Sequence, residues 1–472
     1  MIKHKQTKKK RSITKKTLIY TGGTILASIS MAGSTFLYSK YTATGDYGNF
    51  QLTISIVMLL ATVGFLDIRT STLRFMYGVN AENDEDRNKA IYSGGLILAL
   101  CSLVLFGTVF IANKITHVPF PVLGLFWGLS YAVANFYLFV TRGFDREFNY
   151  SIAYSLYFGA LLLLNLYFLA YKHYDAKYIL IAMTIAEVIQ IIYLEVKIGI
   201  LRHFRPRFID RKISAHMIRF SIPLAVTALG TWIMSYYASI QVSKLLGSSS
   251  NGIFSMSMEF AKAVPMATGG IILAWQEIAF SRETSGNNKE LNKDYFSQSI
   301  TTFFLIYAAF FMVFIPLMQL IIPYYLSEAF QPVGKILALC TAGFTCDCIS
   351  QMIASIFGND IDSTPIMVST IIGSAFLIIT IPTFIRLYQI TGASLCVSIS
   401  FLLTLLIRIV WLGVGKKYKI NYFKISLSIL VAAAFGYYST IGSYTTNIIL
   451  TIVGLAIGLP VIIKLKKNVN EN

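Results

Sequence analysis

Apolar runs of about 20 residues recur along this chain from residue 17 to residue 463, with the charged residues in short clusters between them. A run of that length is what an α-helix needs to cross a hydrocarbon core of ~30 Å. Barrel strands would instead alternate polar and apolar residues over ~10 positions, and that pattern is absent. Only 13% of the 472 residues are charged, against roughly 25% in an ordinary soluble domain. The expected fold is therefore an all-α polytopic membrane protein with about fourteen transmembrane helices. Hydropathy puts them near 17–38, 48–68, 91–112, 120–141, 151–171, 177–197, 219–240, 252–273, 299–322, 332–357, 366–386, 390–413, 423–441 and 445–463.

Charge then sets direction. With the N-terminus inside, about 31 of the 40 Lys and Arg fall in cytoplasmic segments and about 6 in outer loops. Basic residues near span ends resist translocation and favour the anionic inner leaflet, so both termini are expected in the cytoplasm. The net charge of +18 is accounted for by these loops, and no nucleic-acid partner is implied. The densest cluster, Lys197 to Arg219, carries seven Lys or Arg and one acid, Asp210. It divides the chain into a basic tail (1–16), a six-helix lobe (17–197), a basic connector (198–218), a second six-helix lobe (219–413), a helix pair (423–463) and a cytoplasmic tail (464–472).

The two lobes share a motif. YTATGDYGNFQLTISI (41–56) and VSKLLGSSSNGIFSMSMEF (242–260) each give a glycine turn (Gly45, Gly247), then a second glycine followed two residues later by Phe (Gly48/Phe50, Gly252/Phe254). The offset of about 200 residues also maps the first span onto the seventh. Glycines permit tight reversal and close helix approach. Six spans per lobe make the repeat parallel, the kind that places a substrate cavity between lobes that rock.

Polar groups inside the spans are the candidate chemistry. Thr21, Thr24, Ser28 and Thr35 form a stripe on span 1; Thr227, Thr231 and Ser235 form one on span 7. Either they pack helices with hydroxyls bonded to backbone, or they form a hydrophilic wall. Glu259 and Lys262 lie three apart in span 8, on one face. A lone Lys at the bilayer centre costs roughly 2.5–3.5 kcal/mol, so it needs a partner or water. Two roles stay open for this pair: a structural ion pair, or Lys262 receiving an anionic group with Glu259 as its resting counter-ion. Arg408, in span 12, and Arg69, Arg74 and Arg142, near the cytoplasmic mouth, are further substrate candidates; Glu187 and Asp347 are candidates for ion coupling.

Other chemistry is not indicated. There is no G-x-x-x-x-G-K-[ST] phosphate loop and no H-E-x-x-H. The five histidines lie apart, and Cys346-Asp347-Cys348 is too compact for the usual zinc spacing. No cofactor, metal or catalysis is expected.

The basic tail, TGDYGNFQLTISIVMLLATVGFLDIRTSTLRF (44–75), TRGFDREFNYSIAYSL (141–156) and KLLGSSSNGIFSMSMEFAKAVP (244–265) together resemble the polysaccharide-export flippases of the multidrug/oligosaccharidyl-lipid/polysaccharide (MOP) superfamily, which include the O-antigen and teichoic-acid flippases. The resemblance spans nearly the whole chain. It implies a bacterial plasma-membrane protein that moves undecaprenyl-pyrophosphate-linked oligosaccharide from the inner to the outer leaflet. Membrane lipids, a polysaccharide polymerase and glycosyltransferases are the partners it implies. Such relatives often carry an acid near the outer end of span 7, where this chain reads SYYASIQVSK (235–244), so ion coupling is not carried over to that position. A multidrug or cation antiporter of the same superfamily is the main alternative, and a non-transporting scaffold for cell-wall assembly another. A glycan polymerase or acyltransferase would call for a long outer loop or an intramembrane His, and neither is present.

Overall fold

The computed structural model describes residues 22, 26–76, 84–116, 118–202, 205–269, 271, 272, 275, 289–359, 364–415 and 418–471. Every regular element among them is a helix. The chain packs as two units, Met1–Gly252 and Ile253–Asn472.

The first unit holds α1 (residues 26–41), α2 (Thr44–Gly64), α3 (Ile68–Met76), α4 (Asp84–Thr116), α5 (Pro121–Gly143), α6 (Glu147–Asn165, continued by a π-helical turn Leu166–Tyr171), α7 (Lys177–Ile198), α8 (Arg211–Trp232) and α9 (Ala238–Leu246). Helix ends follow local chemistry. Pro121 opens α5, where a missing N–H costs nothing. Gly199, at φ 73°, closes α7 in the left-handed region that glycine enters without a Cβ penalty. Helix α5 packs against α7, α6 against α7, and α3 against α4, α5 and α8.

The basic connector is docked on this unit. The Glu195 carboxylate accepts the Leu201 and Arg202 backbone N–H groups at 3.0 and 3.1 Å and the Tyr137 hydroxyl at 2.7 Å. Tyr92 donates to the Ile200 carbonyl at 3.0 Å, and its ring stacks on Phe208. Asp210 caps α8 by accepting from Lys212 N and Ile213 N at 2.7 and 3.0 Å. Those bonds, that of Ile213 foremost, hold the Asp210 carboxyl below its ordinary value of 3.8. A lowered folded-state value means the cap stabilises above about pH 4 and loses its effect as pH falls through the folded value. Asp210→Ala is expected to cost about 1 kcal/mol, read as a lower melting temperature at pH 7. The gap between variant and wild type should narrow in acid.

The second unit contains most of α10 (Ser248–Ala261), which begins in the first, then α11 (residues 263–269), α12 (Lys289–Tyr325), α13 (Val333–Asn359), α14 (Thr364–Val410), α15 (Tyr422–Ile441) and α16 (Tyr444–Glu471). Helix α13 packs on α14, and α12 on α15 and α16. At Gln389 (φ 51°, ψ −134°) α14 leaves helical geometry. A Cβ on Gly392 would lie 2.0 Å from the Phe384 carbonyl oxygen, so the chain doubles back there. The expected spans 366–386 and 390–413 are the two arms of this turn.

Nine helices among the described residues are long and apolar enough to cross a membrane, or ten with the pair Arg211–Ile222 and Leu224–Leu246, bent by 40°. The bend falls at Pro223, which lacks the N–H an unbroken helix requires. Parts of the expected spans 17–38 and 252–273 lie outside the described residues, and the last expected span is the shorter apolar stretch Tyr444–Gly458.

The repeat glycines meet. A Cβ on Gly48 would sit 1.8 Å from the Ser248 carbonyl oxygen, and one on Gly252 would sit 2.0 Å from that of Thr44. The first turns of α2 and α10 thus cross backbone to backbone. Ser248 donates to Asn49 Oδ1, and Asn251 Nδ2 donates to the Gly48 carbonyl, both at 2.8 Å. Ser239 donates to Asn251 Oδ1 at 2.7 Å, so the buried Asn251 ties α9, α10 and α2 together.

Candidate functional site

The chain turns between α2 and α3 through two non-glycine residues in the left-handed region, Leu66 (φ 51°) and Asp67 (φ 48°). Such backbone costs on the order of 1–3 kcal/mol per residue and collects at functional sites. This turn delivers Arg69. Its Nε donates to Asp67 Oδ1 at 3.0 Å and its Nη1 to Asn135 Oδ1 at 3.0 Å. The guanidinium also lies 5.2 Å from the centre of the Phe139 ring.

A second guanidinium, Arg142, lies 5.5 Å from the centre of the same ring and 6.0 Å from that of Tyr150. It follows Phe139 by three residues on α5 and precedes another left-handed residue, Asp145 (φ 55°). Asn135, Phe139 and Arg142 share one face of α5 by their spacing. Phe139 therefore gathers two cations at cation–π distance, and Asp67 offsets one of their charges. A guanidinium has five N–H donors, of which Arg69 gives two to Asp67 and Asn135. A cavity of ≈ 80 Å³ opens beside it, lined mostly by apolar side chains such as Met58, Phe65 and Leu98, with Thr62, Asp67, Tyr131 and Asn135 as its polar groups. The first unit thus holds two guanidiniums on one phenyl ring, Arg69 and Arg142 on Phe139, with a small cavity beside Arg69.

The other candidates are distributed. Arg74 is exposed, about 140° round α3 from Arg69. Thr24 lies outside the described residues, as does Thr21, while Ser28 is half-buried on α1. Thr231 is exposed and its hydroxyl donates to the Thr227 carbonyl at 3.2 Å. Ser235 is half-buried in a π-helical turn, Ile233–Tyr237. Glu187 is buried on α7 and accepts from the Ser130 hydroxyl of α5.

In the second unit Lys262 and Glu259 form an ion pair at the end of α10. Asp347 on α13 is half-buried and accepts from Gln351 at 2.8 Å. Arg408 is buried. Its guanidinium donates to Ser369 Oγ (2.9 Å), the Ser350 carbonyl (2.8 Å) and Thr370 Oγ1 (3.1 Å), bolting the second arm of α14 to the first and to α13. Arg408→Met is expected to lower stability by on the order of 2 kcal/mol, because the charge-assisted hydrogen bonds to Ser369, Ser350 and Thr370 are lost. A melting curve in detergent measures it.

The structure thus joins Arg69 to Arg142, and Glu259 to Lys262. Asp67, Asn135 and Phe139 were missed in the sequence, although the 135/139/142 spacing was there to find. No group of three or more His, Cys, Asp or Glu among the described residues is placed to hold a metal ion.

The fold is similar to that of several solved membrane transporters. The lipid II flippase MurJ in an inward closed conformation aligns over 96% of this chain and 99% of its own, with TM-score 0.72 and 14% identity. An inward-facing multidrug resistance MATE transporter aligns over 85% of this chain and 96% of its own, with TM-score 0.67 and 13% identity. A MATE structure in the straight conformation gives TM-score 0.58 at 13% identity over 89% of this chain and 97% of its own. No protein-family model and no curated protein sequence matches the chain. At these identities the shared property is the fold.

Proposed function

We propose that this protein is a flippase for an undecaprenyl-pyrophosphate-linked oligosaccharide, carrying it from the inner to the outer leaflet by alternating access. The observation that carries this reading is the pair Arg69 and Arg142 gathered on Phe139. Dragging a pyrophosphate and many hydroxyls through hydrocarbon would cost several kcal/mol per polar group. A cationic pocket receives the pyrophosphate while the prenyl tail stays in lipid. Lys262 is a further cation for the anionic group, held by Glu259 when the carrier is empty. With the basic connector and both termini in the cytoplasm, moving negative charge outward gains about 2.3 kcal/mol per charge per 100 mV of inside-negative potential. Translocation on this reading makes and breaks no covalent bond.

A second reading, a multidrug or cation antiporter, is favoured by Glu187, a buried carboxyl bonded to Ser130 in a fold also found in MATE transporters. The two guanidiniums oppose it, since they repel a cationic substrate.

Mass spectrometry of undecaprenyl-linked glycans in cells with and without the protein separates the readings. Accumulation of a completed lipid-linked oligosaccharide on depletion, with loss of surface glycan, is the expected result. An unchanged lipid-linked pool together with cation sensitivity would establish the antiporter instead.

A further inference from the structure

A row of aromatic rings runs along α6 from the two guanidiniums on Phe139. Arg142 lies over Tyr150; the Tyr150 and Tyr154 rings are nearly parallel (7°) with centres 6.1 Å apart. Tyr154 meets Phe158 at 5.1 Å, and Phe158 meets Tyr157 at 4.8 Å. Tyr150, Tyr154 and Phe158 follow at four-residue intervals, so they share one helix face and climb ~6 Å per step. All four rings are half-buried, and the span they belong to is among the least buried of the nine.

Depth separates this row from an interfacial aromatic belt. Belts sit at the membrane–water boundaries. Tyr154 lies seven residues into α6, ~10 Å from its start and so about a third of the way into a ~30 Å core. A phenol hydroxyl facing hydrocarbon at that depth goes unsatisfied, which is costly. The Tyr154 hydroxyl hydrogen-bonds to no group among the described residues. Tyrosines there fit a hydrated path, where a lipid-facing stripe would carry Leu or Phe.

We infer that the Tyr150–Tyr154–Phe158 face of α6 is a carbohydrate rail, on which the sugar rings of the cargo stack while Arg142 and Arg69 hold its anionic group. This rests on the flippase reading above. A pyranose ring has an apolar C–H face that covers an aromatic ring and a hydroxyl rim that bonds to water and phenols. Charge selects the occupant: a cationic aromatic drug would suit the rings but not the two guanidiniums at their foot, whereas a sugar tethered to a pyrophosphate suits both.

The test uses the purified full chain in vesicles with two substrates that share prenyl tail and pyrophosphate, one bearing the oligosaccharide and one without sugar. Tyr154→Leu is expected to slow flipping of the glycosylated lipid about tenfold, equivalent to ~1.4 kcal/mol, and to leave the sugar-free lipid within about twofold of wild type. Tyr154→Phe, which keeps the ring, is expected to stay near wild type for both and guards against a folding defect. Equal slowing of both substrates by Tyr154→Leu, or no slowing of either, overturns the rail. If wild-type protein moves neither substrate, the flippase reading itself falls and the rail with it; if it moves both and Tyr154→Leu does not discriminate, only the rail falls.

Discussion

On the flippase reading, replacing Arg69 with Ala will slow translocation of the pyrophosphate-linked lipid by about ten- to a hundredfold, the equivalent of a lost charge-assisted contact of roughly 1.5–3 kcal/mol. Two consequences add. The cargo loses one of two guanidiniums gathered on Phe139, and Asp67 becomes an uncompensated anion beside the pocket. Arg69→Lys will not rescue, because one ammonium cannot address Asp67 and Asn135 from a planar fork while facing Phe139. The double variant Arg69→Ala, Asp67→Asn will recover part of the loss by removing the stranded carboxylate. Vesicle flipping rates across these variants, with expression and monodispersity matched to wild type, check the series. Equal rates for wild type and Arg69→Ala would remove this pocket from the transport path.

Gly48→Leu will abolish transport and reduce the yield of folded protein. Even the first added carbon would overlap the Ser248 carbonyl oxygen at 1.8 Å, and backbone cannot rotate aside as a side chain can. The cost exceeds the typical ~1–3 kcal/mol of core overpacking, because separating α2 from α10 also breaks the Asn251–Gly48 and Ser248–Asn49 hydrogen bonds. Gly252→Leu will behave alike, since its added carbon meets the Thr44 carbonyl at 2.0 Å. Gly45→Ala serves as control: its Cβ would stand 3.4 Å from Ser249 Oγ, an ordinary contact. Detergent melting curves and transport rates of the three variants test the crossing. Wild-type stability in Gly48→Leu would contradict it.

Helices were legible in the sequence because apolar length is a direct consequence of bilayer thickness. The turn at Gln389 was legible from the polarity of its surroundings. The repeat glycines stood out as a pattern, yet nothing in one dimension says that Gly48 and Gly252 face each other's partner helices. That pairing is a long-range property, as is the docking of the connector region through Tyr137 on Glu195 and Tyr92 on Ile200. In the candidate site, Arg69 and Arg142 were found because intramembrane and near-membrane charge is rare. Phe139 was not, since one Phe among 34 carries no signal until two cations converge on it. Asp67 escaped for another reason: a carboxylate at a span end reads as solvated until the left-handed turn aims it at Arg69.

The most direct measurement is flipping of a fluorescently labelled undecaprenyl-pyrophosphate oligosaccharide in vesicles holding only this protein, read by quenching from outside. Protein-dependent movement that is faster with the potential drawing negative charge along the transport direction, and largely lost in Arg69→Ala, is what a cationic flippase predicts. Movement no faster than in empty vesicles, with a proton or cation gradient driving uptake of a cationic dye through the same protein, would contradict it.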